Sequence, residues 1–140
     1  MAASPLCLYF RGMKQSQILS AWRAGDTASL AAMVAEDATF SSPVADYHGR
    51  ANVLHMFELI SQVLGEVDQA QPYSGERGTV YRFTALVAGR QLEGVLHEER
   101  NEAGQLLRIT LFLRPFAALR TAIGAMGRLL EQSPLPAPAG

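Results

Sequence analysis

Few side chains in this 140-residue sequence have the chemistry to move a proton near neutral pH. Glu98 lies in a segment where apolar and polar residues alternate, as in a strand with one apolar face. A carboxyl group that faces apolar neighbours has a raised pKa and can act as a general acid or base. His48 is a candidate general base or hydrogen-bond donor, and the Ser42 hydroxyl can assist. Glu98, Ser42 and His48 are therefore the candidate catalytic residues.

Each candidate also has a structural interpretation, which the sequence leaves open. Glu98 is near the end of its strand, where it would lie at the rim and pair with Arg100 or water. His48 precedes Gly49 at the start of a predicted helix, and a His-Gly pair at that position usually belongs to a turn. Asp46, in the same loop, is expected to cap or support the loop.

The sequence gives no support to metal, cofactor or thiol chemistry. Cys7 is the only cysteine, so an intrachain disulfide and a thiolate metal cluster are both excluded. The three histidines lack a metal-ligand spacing, and no glycine-rich phosphate loop or nucleophile elbow is present. We therefore predict no metal and no cofactor.

Composition limits the partners and the compartment. Twelve Lys and Arg against 13 Asp and Glu give a formal net charge of −1, without a basic run that would bind nucleic acid. No apolar stretch is long enough to span a membrane. A single cysteine is compatible with a reducing cytoplasm. We expect a cytoplasmic protein with neither a nucleic-acid nor a membrane partner.

The first half of the chain has helical spacing. Residues 15–24 predict a first helix and residues 27–34 a second. Residues 38–42 favour a strand, and a third helix is expected between Gly49 and Gly65.

The second half changes to a period of two, which is typical of strands. Residues 79–88, 91–100 and 105–114 each alternate, after a weaker strand signal at residues 67–73. Helical spacing returns at residues 116–130, with an apolar stripe of Phe116, Leu119, Ile123, Met126 and Leu130. Helices followed by antiparallel strands predict an α+β fold with helices on one face of a sheet.

The two ends of the chain are expected to lie outside the domain. Residues 1–13 form a predicted N-terminal extension, and residues 14–131 form the single domain. The proline-rich residues 132–140 are expected to be a disordered tail.

Several short motifs carry a family resemblance. The main one is the stretch at residues 37–50, with the sequence DATFSSPVADYHGR, preceded by Ala24-Gly25-Asp26 and followed by the Ala103-Gly104 hairpin. Over roughly residues 14–114 the chain resembles the cone-shaped α+β family of ketosteroid isomerase, the SnoaL-like polyketide cyclases and nuclear transport factor 2. The resemblance implies a cone-shaped α+β barrel, with three N-terminal helices on a strongly curved, mostly antiparallel sheet. The C-terminal helix is an addition to it.

The same resemblance argues against steroid isomerisation by the standard mechanism. Ketosteroid isomerases have a catalytic Asp where this chain has Ser42, and tyrosines where it has Ile18 and Phe57. The position of their oxyanion-hole Asp falls on Glu98 when residues are counted from the hairpin at Gly89. It falls on Leu96 when they are counted from Gly104.

The strand alternation predicts which face meets the helices. Pairing Arg100 with Gln105 places Glu98 and Leu107 opposite each other on an apolar inner face. In the family that face lines the cavity, which we expect to bind a small hydrophobic ligand. The expected ligand-binding residues are Trp22, Phe40, Tyr47, Phe57, Tyr81, Phe83, Leu96, Ile109, Leu111 and Leu113. The more polar outer face is expected to form a homodimer interface.

Three functions follow from this reading. The first is binding of a small hydrophobic molecule without turnover. The second is cofactor-independent isomerase, cyclase or dehydratase chemistry on a hydrophobic substrate, with Glu98 as the acid or base. The third is a non-catalytic dimeric scaffold for interactions. The fold alone does not decide among them.

Overall fold

The computed structural model describes residues 15–138, so the predicted N-terminal extension lies outside the described residues. The helices are α1 (Gln17–Ala24), α2 (Arg50–Val63) and α3 (Phe116–Gln132), with a single 3₁₀ turn at Ala28–Leu30. The strands are β1 (Val34–Ser41), β2 (Asp46–His48), β3 (Gly65–Gln69), β4 (Tyr73–Gly75), β5 (Gly78–Val87), β6 (Arg90–Arg100) and β7 (Leu106–Arg114).

The strands form one curved, mixed sheet that does not close into a barrel. Their order is β2-β1-β7-β6-β5-β3, and β4 pairs with the first three residues of β5. β1 runs parallel to β7, and the other pairs are antiparallel. The α+β class is confirmed, whereas the predicted barrel is an open sheet.

The region predicted as a second helix is mostly strand. One 3₁₀ turn is all that forms there, and β1 already begins at Val34 rather than at residue 38. The Leu106 amide donates to the Met33 carbonyl at 2.7 Å, and Val34 pairs with Leu106 in β7. Pairing between residues 72 positions apart therefore overrides the local helical spacing, and two of the three expected N-terminal helices form.

Helix α1 ends where its sequence predicts but begins at Gln17 rather than at residue 15, and it is held by local hydrogen bonds. Ser16 Oγ accepts from the Leu19 amide at 3.1 Å, which caps the N-terminus. Gly25 ends the helix with a left-handed φ of 69°. The buried face, which includes Ile18 and Trp22, packs against α2 and β3.

The β6–β7 hairpin keeps the predicted faces but not the predicted register. The Asn101 side chain accepts from the Gln105 amide at 2.9 Å, so these residues close the loop and Arg100 pairs with Leu106. A bulge there displaces the rest of the pairing by two residues, which leaves each side chain on its face. At the bulge the prediction is wrong, because Leu106 faces inward and is fully buried while Leu107 is half-buried.

The predicted apolar stripe is partly buried, since Leu119, Met126 and Leu130 are half-buried. Helix α3 packs on α2 and on β5, β6 and β7. Its buried residues are Ala118 and Ala122, whose small side chains let the helix approach closely. Phe116, by contrast, is 73% exposed and Ile123 is 41% exposed. Every helix within residues 15–138 is too short or too polar to cross a membrane.

The proline-rich tail, expected to be disordered, contacts α2 as far as it is described. Asn52 accepts from the Ala137 amide at 3.1 Å and donates to the Pro138 carbonyl at 3.4 Å. His55 donates through Nε2 to the Ser133 carbonyl at 2.7 Å. Backbone groups in this tail have no helix or strand to bond within, and side chains of α2 provide hydrogen-bond partners for them.

Candidate functional site

Glu98 lies on the inner face of β6 and is 3% exposed. Its Oε2 accepts a hydrogen bond from Ser16 Oγ. The Ser16 oxygen in turn accepts from the Leu19 amide, so the helix cap orients this hydroxyl toward the carboxyl group. Arg100 Nη2 lies 3.6 Å from Glu98 Oε1. Within residues 15–138, Oε1 makes no hydrogen bond.

Burial dominates the electrostatics of this carboxyl group. Loss of solvation raises the pKa of Glu98, and the Ser16 hydrogen bond and the Arg100 charge lower it by smaller amounts. The neighbouring Tyr81 also has a raised pKa, first because of burial and second because of the Glu98 charge. Glu98 is therefore buried, as expected for an inward-facing acid or base, and it is also close to Arg100, as expected for a structural residue at the rim.

The raised pKa makes stability depend on pH. Above the ordinary pKa the unfolded chain loses its Glu98 proton while the folded chain retains it, so stability falls as pH rises through the folded-state value. We expect the free energy of unfolding of the wild type to decline over this window relative to that of Glu98→Gln. Urea unfolding from about pH 4 to about pH 9 measures both curves. The exposed Glu76→Gln is the matched control and should follow the wild type; a Glu98→Gln curve parallel to the wild type would contradict the assignment.

A polar cleft of about 800 Å³ opens above this carboxyl group. Its walls are the start of α1 with Gln15, the β4–β5 turn, and the end of β6 from Glu98 to Arg100. Tyr81 lines it from β5. We call this space the polar cleft.

A separate apolar cleft of about 190 Å³ lies between α2, β7, α3 and the turn after β1. Its walls are almost entirely hydrocarbon. Representative lining residues are Met56 and Ile60 from α2, Leu111 and Leu113 from β7, and Leu119 and Met126 from α3. We call this space the apolar cleft.

The structure does not bring the three candidate catalytic residues together. Ser42 lies at the edge of the apolar cleft, but its Oγ accepts from the Val44 and Ala45 amides at 3.1 Å and donates to the Ala45 carbonyl at 3.0 Å. These bonds form the turn between β1 and β2 and occupy the hydroxyl.

His48 lies on the opposite face of the sheet from Glu98. Its Nδ1 is 3.3 Å from Thr39 Oγ1, and the next residue of β1, Phe40, points into the core. Successive strand residues face opposite sides, so the imidazole is on the outer side and is exposed. Asp46, expected to support the loop, is an exposed residue of β2.

The expected ligand-binding residues divide between the two clefts and the core. Tyr47, Leu111 and Leu113 line the apolar cleft, and Tyr81 lines the polar cleft. The buried core holds Trp22, Phe40, Phe57, Phe83, Leu96 and Ile109. The Trp22 ring lies 5.9 Å from Phe57 and 6.3 Å from Phe83, both edge to face. These rings pack between the helices and the sheet, where the resemblance implies a cavity.

Ser16 is the site residue that the sequence reading missed. A Ser immediately before the first apolar positions of a helix is a recognisable N-cap, so the cap itself was predictable. Its hydrogen bond to Glu98 was not, because the two residues are 82 positions apart.

The comparisons with known proteins agree with this architecture. A family model for the SnoaL-like domain matches residues 16–95. The solved structure of a steroid delta-isomerase from Pseudomonas aeruginosa matches with a TM-score of 0.75 at 22% identity, covering 86% of this chain and 97% of that chain. An uncharacterised conserved bacterial protein with a cystatin-like fold from Silicibacter pomeroyi matches with a TM-score of 0.77 at 22% identity, covering 89% and 92%.

A third similar structure is the epoxide hydrolase/cyclase-like enzyme SalBIII of pyran ring formation in the polyether salinomycin. It has a TM-score of 0.60 at 16% identity and covers 73% of this chain and 88% of that chain. No match was found among curated proteins. Structural likeness at these identities establishes the fold and leaves the activity open.

Proposed function

The chain belongs to the SnoaL-like domain family, and from that premise we propose that it binds a small apolar molecule in the apolar cleft. The observation that carries the proposal is the cleft itself, an opening of about 190 Å³ with nearly pure hydrocarbon walls. An apolar cavity of roughly 150 Å³ stays dry and binds benzene in a well-studied protein. The size therefore suits a ligand of about one ring.

The opening of the apolar cleft supports access from solvent. Val44 and Ile123 both line the cleft, and they are 63% and 41% exposed. Large apolar side chains exposed around a concave surface are a common mark of a binding site. A ligand entering here would bury these side chains as well as its own surface.

The chemistry of the walls favours binding over turnover. Among the described residues, the apolar cleft is lined by no Asp, Glu, His, Lys or Arg. Glu98 lines the polar cleft instead, and the Ser42 hydroxyl is bonded within its turn. An acid–base reaction on a molecule in the apolar cleft would therefore lack a carboxylate or imidazole as its acid or base. The homodimer through the outer face and the scaffold role stay predictions.

Two glycines of α3 offer a direct test. Gly127 lines the apolar cleft, and a Cβ there would meet no atom within 4 Å, so Gly127→Leu should fit and occupy the cleft. We expect about tenfold weaker binding of fluorobenzene, measured by ¹⁹F NMR titration.

The matched control is Gly124→Leu, one turn earlier on the same helix. A Cβ at Gly124 would meet only Arg128 Nη1, at 3.7 Å, and both changes give the same gain in helix propensity. This control should change fluorobenzene affinity by less than about twofold. Equal effects of the two changes, or a wild type that does not bind the probe, would overturn the proposal.

A further inference from the structure

The polar cleft contains a buried hydrogen-bonding atom that the chain leaves unused. Glu98 is 3% exposed, and its Oε1 has no hydrogen-bond partner in residues 15–138. Arg100 Nη2, at 3.6 Å, is beyond hydrogen-bond distance, and its side chain is 40% exposed. A buried carboxyl oxygen without a hydrogen bond is costly, so an unpaired oxygen in a side chain that lines a cleft indicates a missing partner.

The carboxyl group is held in place on its other side. Ser16 Oγ bonds Oε2, and the Ser16 amide donates to Gln69 Oε1 at 2.8 Å, which ties the start of α1 to β3. Glu98 also pairs across the strands with Thr79, whose hydroxyl is 3.1 Å from Ser74 Oγ. The Glu98 carboxyl group, which lines the cleft, is therefore held in a fixed position, as a binding site requires.

The charges of the cleft favour a cation. Three acidic residues, Glu76, Glu98 and Glu99, and two basic residues, Arg77 and Arg100, line it. One of the two guanidinium groups is anchored, because Arg100 Nη1 donates to the Gly104 carbonyl at 2.9 Å. With every group charged, the lining has an excess of one negative charge.

We propose that the polar cleft is a second binding site, which takes a small organic ammonium ion that donates a hydrogen bond to Glu98 Oε1. An N–H donor with a positive charge supplies the missing hydrogen bond and offsets the buried negative charge at the same time. The neighbouring Tyr81 hydroxyl offers an oxygen to a second N–H of the same ion. This site does not depend on the apolar cleft.

The test uses propylammonium chloride, with 1-propanol and sodium propionate as neutral and anionic probes of similar size and sodium chloride as the salt control. Amide NMR shifts of residues 74–79 and 98–100 are followed at about pH 8, where the probe is protonated. We expect saturable shifts with propylammonium, and at least about tenfold weaker binding of the other two. No saturable shift, or one reproduced by sodium chloride, overturns the proposal.

Two carboxamide variants assign the binding to one carboxyl group. Glu98→Gln should abolish the saturable shifts, and Glu36→Gln, which removes the same charge from an exposed position outside the cleft, should keep affinity within about twofold. If Glu98→Gln does not fold, the wild type still decides the matter. Binding requires the ionised carboxylate, so propylammonium should lower the pKa of Glu98 followed by side-chain ¹³C NMR. An unchanged pKa overturns the proposal.

Discussion

Replacing Trp22 with alanine is expected to lower the free energy of unfolding by about 3–5 kcal/mol. The indole is buried, its ring contacts Phe57 and Phe83, and its Nε1–H donates to the Phe57 carbonyl at 3.1 Å. Removing it leaves a void between α1, α2 and the sheet, and it also leaves that carbonyl without this donor. Urea unfolding followed by circular dichroism measures the change.

The matched aromatic control is Tyr73→Ala, because Tyr73 is 62% exposed on β4. It should cost less than about 0.5 kcal/mol. The comparison distinguishes a packed interior from a hollow one. If Trp22→Ala costs no more than the control, the indole would be the wall of an open cavity, as the family resemblance implies, and the packed interior described above would be wrong.

Replacing Gly94 with alanine is the second change with a large expected effect, about 1–3 kcal/mol of destabilisation. Gly94 lies on the inner face of β6 opposite Leu113. A Cβ at this position would come within 2.3 Å of the Phe83 ring and 3.0 Å of Leu113. The ring is held against Trp22, so it cannot move aside without opening that contact.

A double-mutant cycle tests this cause directly. The cost of Gly94→Ala should be smaller in a Phe83→Leu background, because the smaller side chain leaves room for the methyl group. Gly75→Ala is the control, since a Cβ there meets nothing within 4 Å. Equal costs at the two glycines, or an effect of Gly94→Ala that is simply additive with Phe83→Leu, would contradict the steric explanation.

The features that the sequence predicts well depend on neighbouring residues. The end of α1 at Gly25 follows from the left-handed conformation that glycine adopts without strain. The β5–β6 hairpin at Gly89 and the inward side of β6 follow from a two-residue period, which survives a register error of two. For the same reason the sequence could place Glu98 on the inner face, although it left open whether the side chain is buried there or lies at the rim.

The features that it predicts poorly depend on residues far apart in the chain. Val34 belongs to a strand because it pairs with β7, and the residues around Val34 do not indicate this pairing. The partner of Glu98 comes from the cap of α1, and the space between the helices and the sheet is filled by rings from four different elements. The buried face of α3 is set by close packing at Ala118 and Ala122, which a search for large apolar residues overlooks.

Binding in the apolar cleft is the central claim, and a crystal structure of the protein soaked with bromobenzene tests it most directly. Bromine can be located by its anomalous scattering, independently of how the surrounding side chains are built. The claim predicts a bromine peak inside the apolar cleft, in contact with Ile60, Leu113 and Met126. A peak only elsewhere, such as on the exposed Phe112 and Phe116 side chains, or an apolar cleft without the probe, would contradict it.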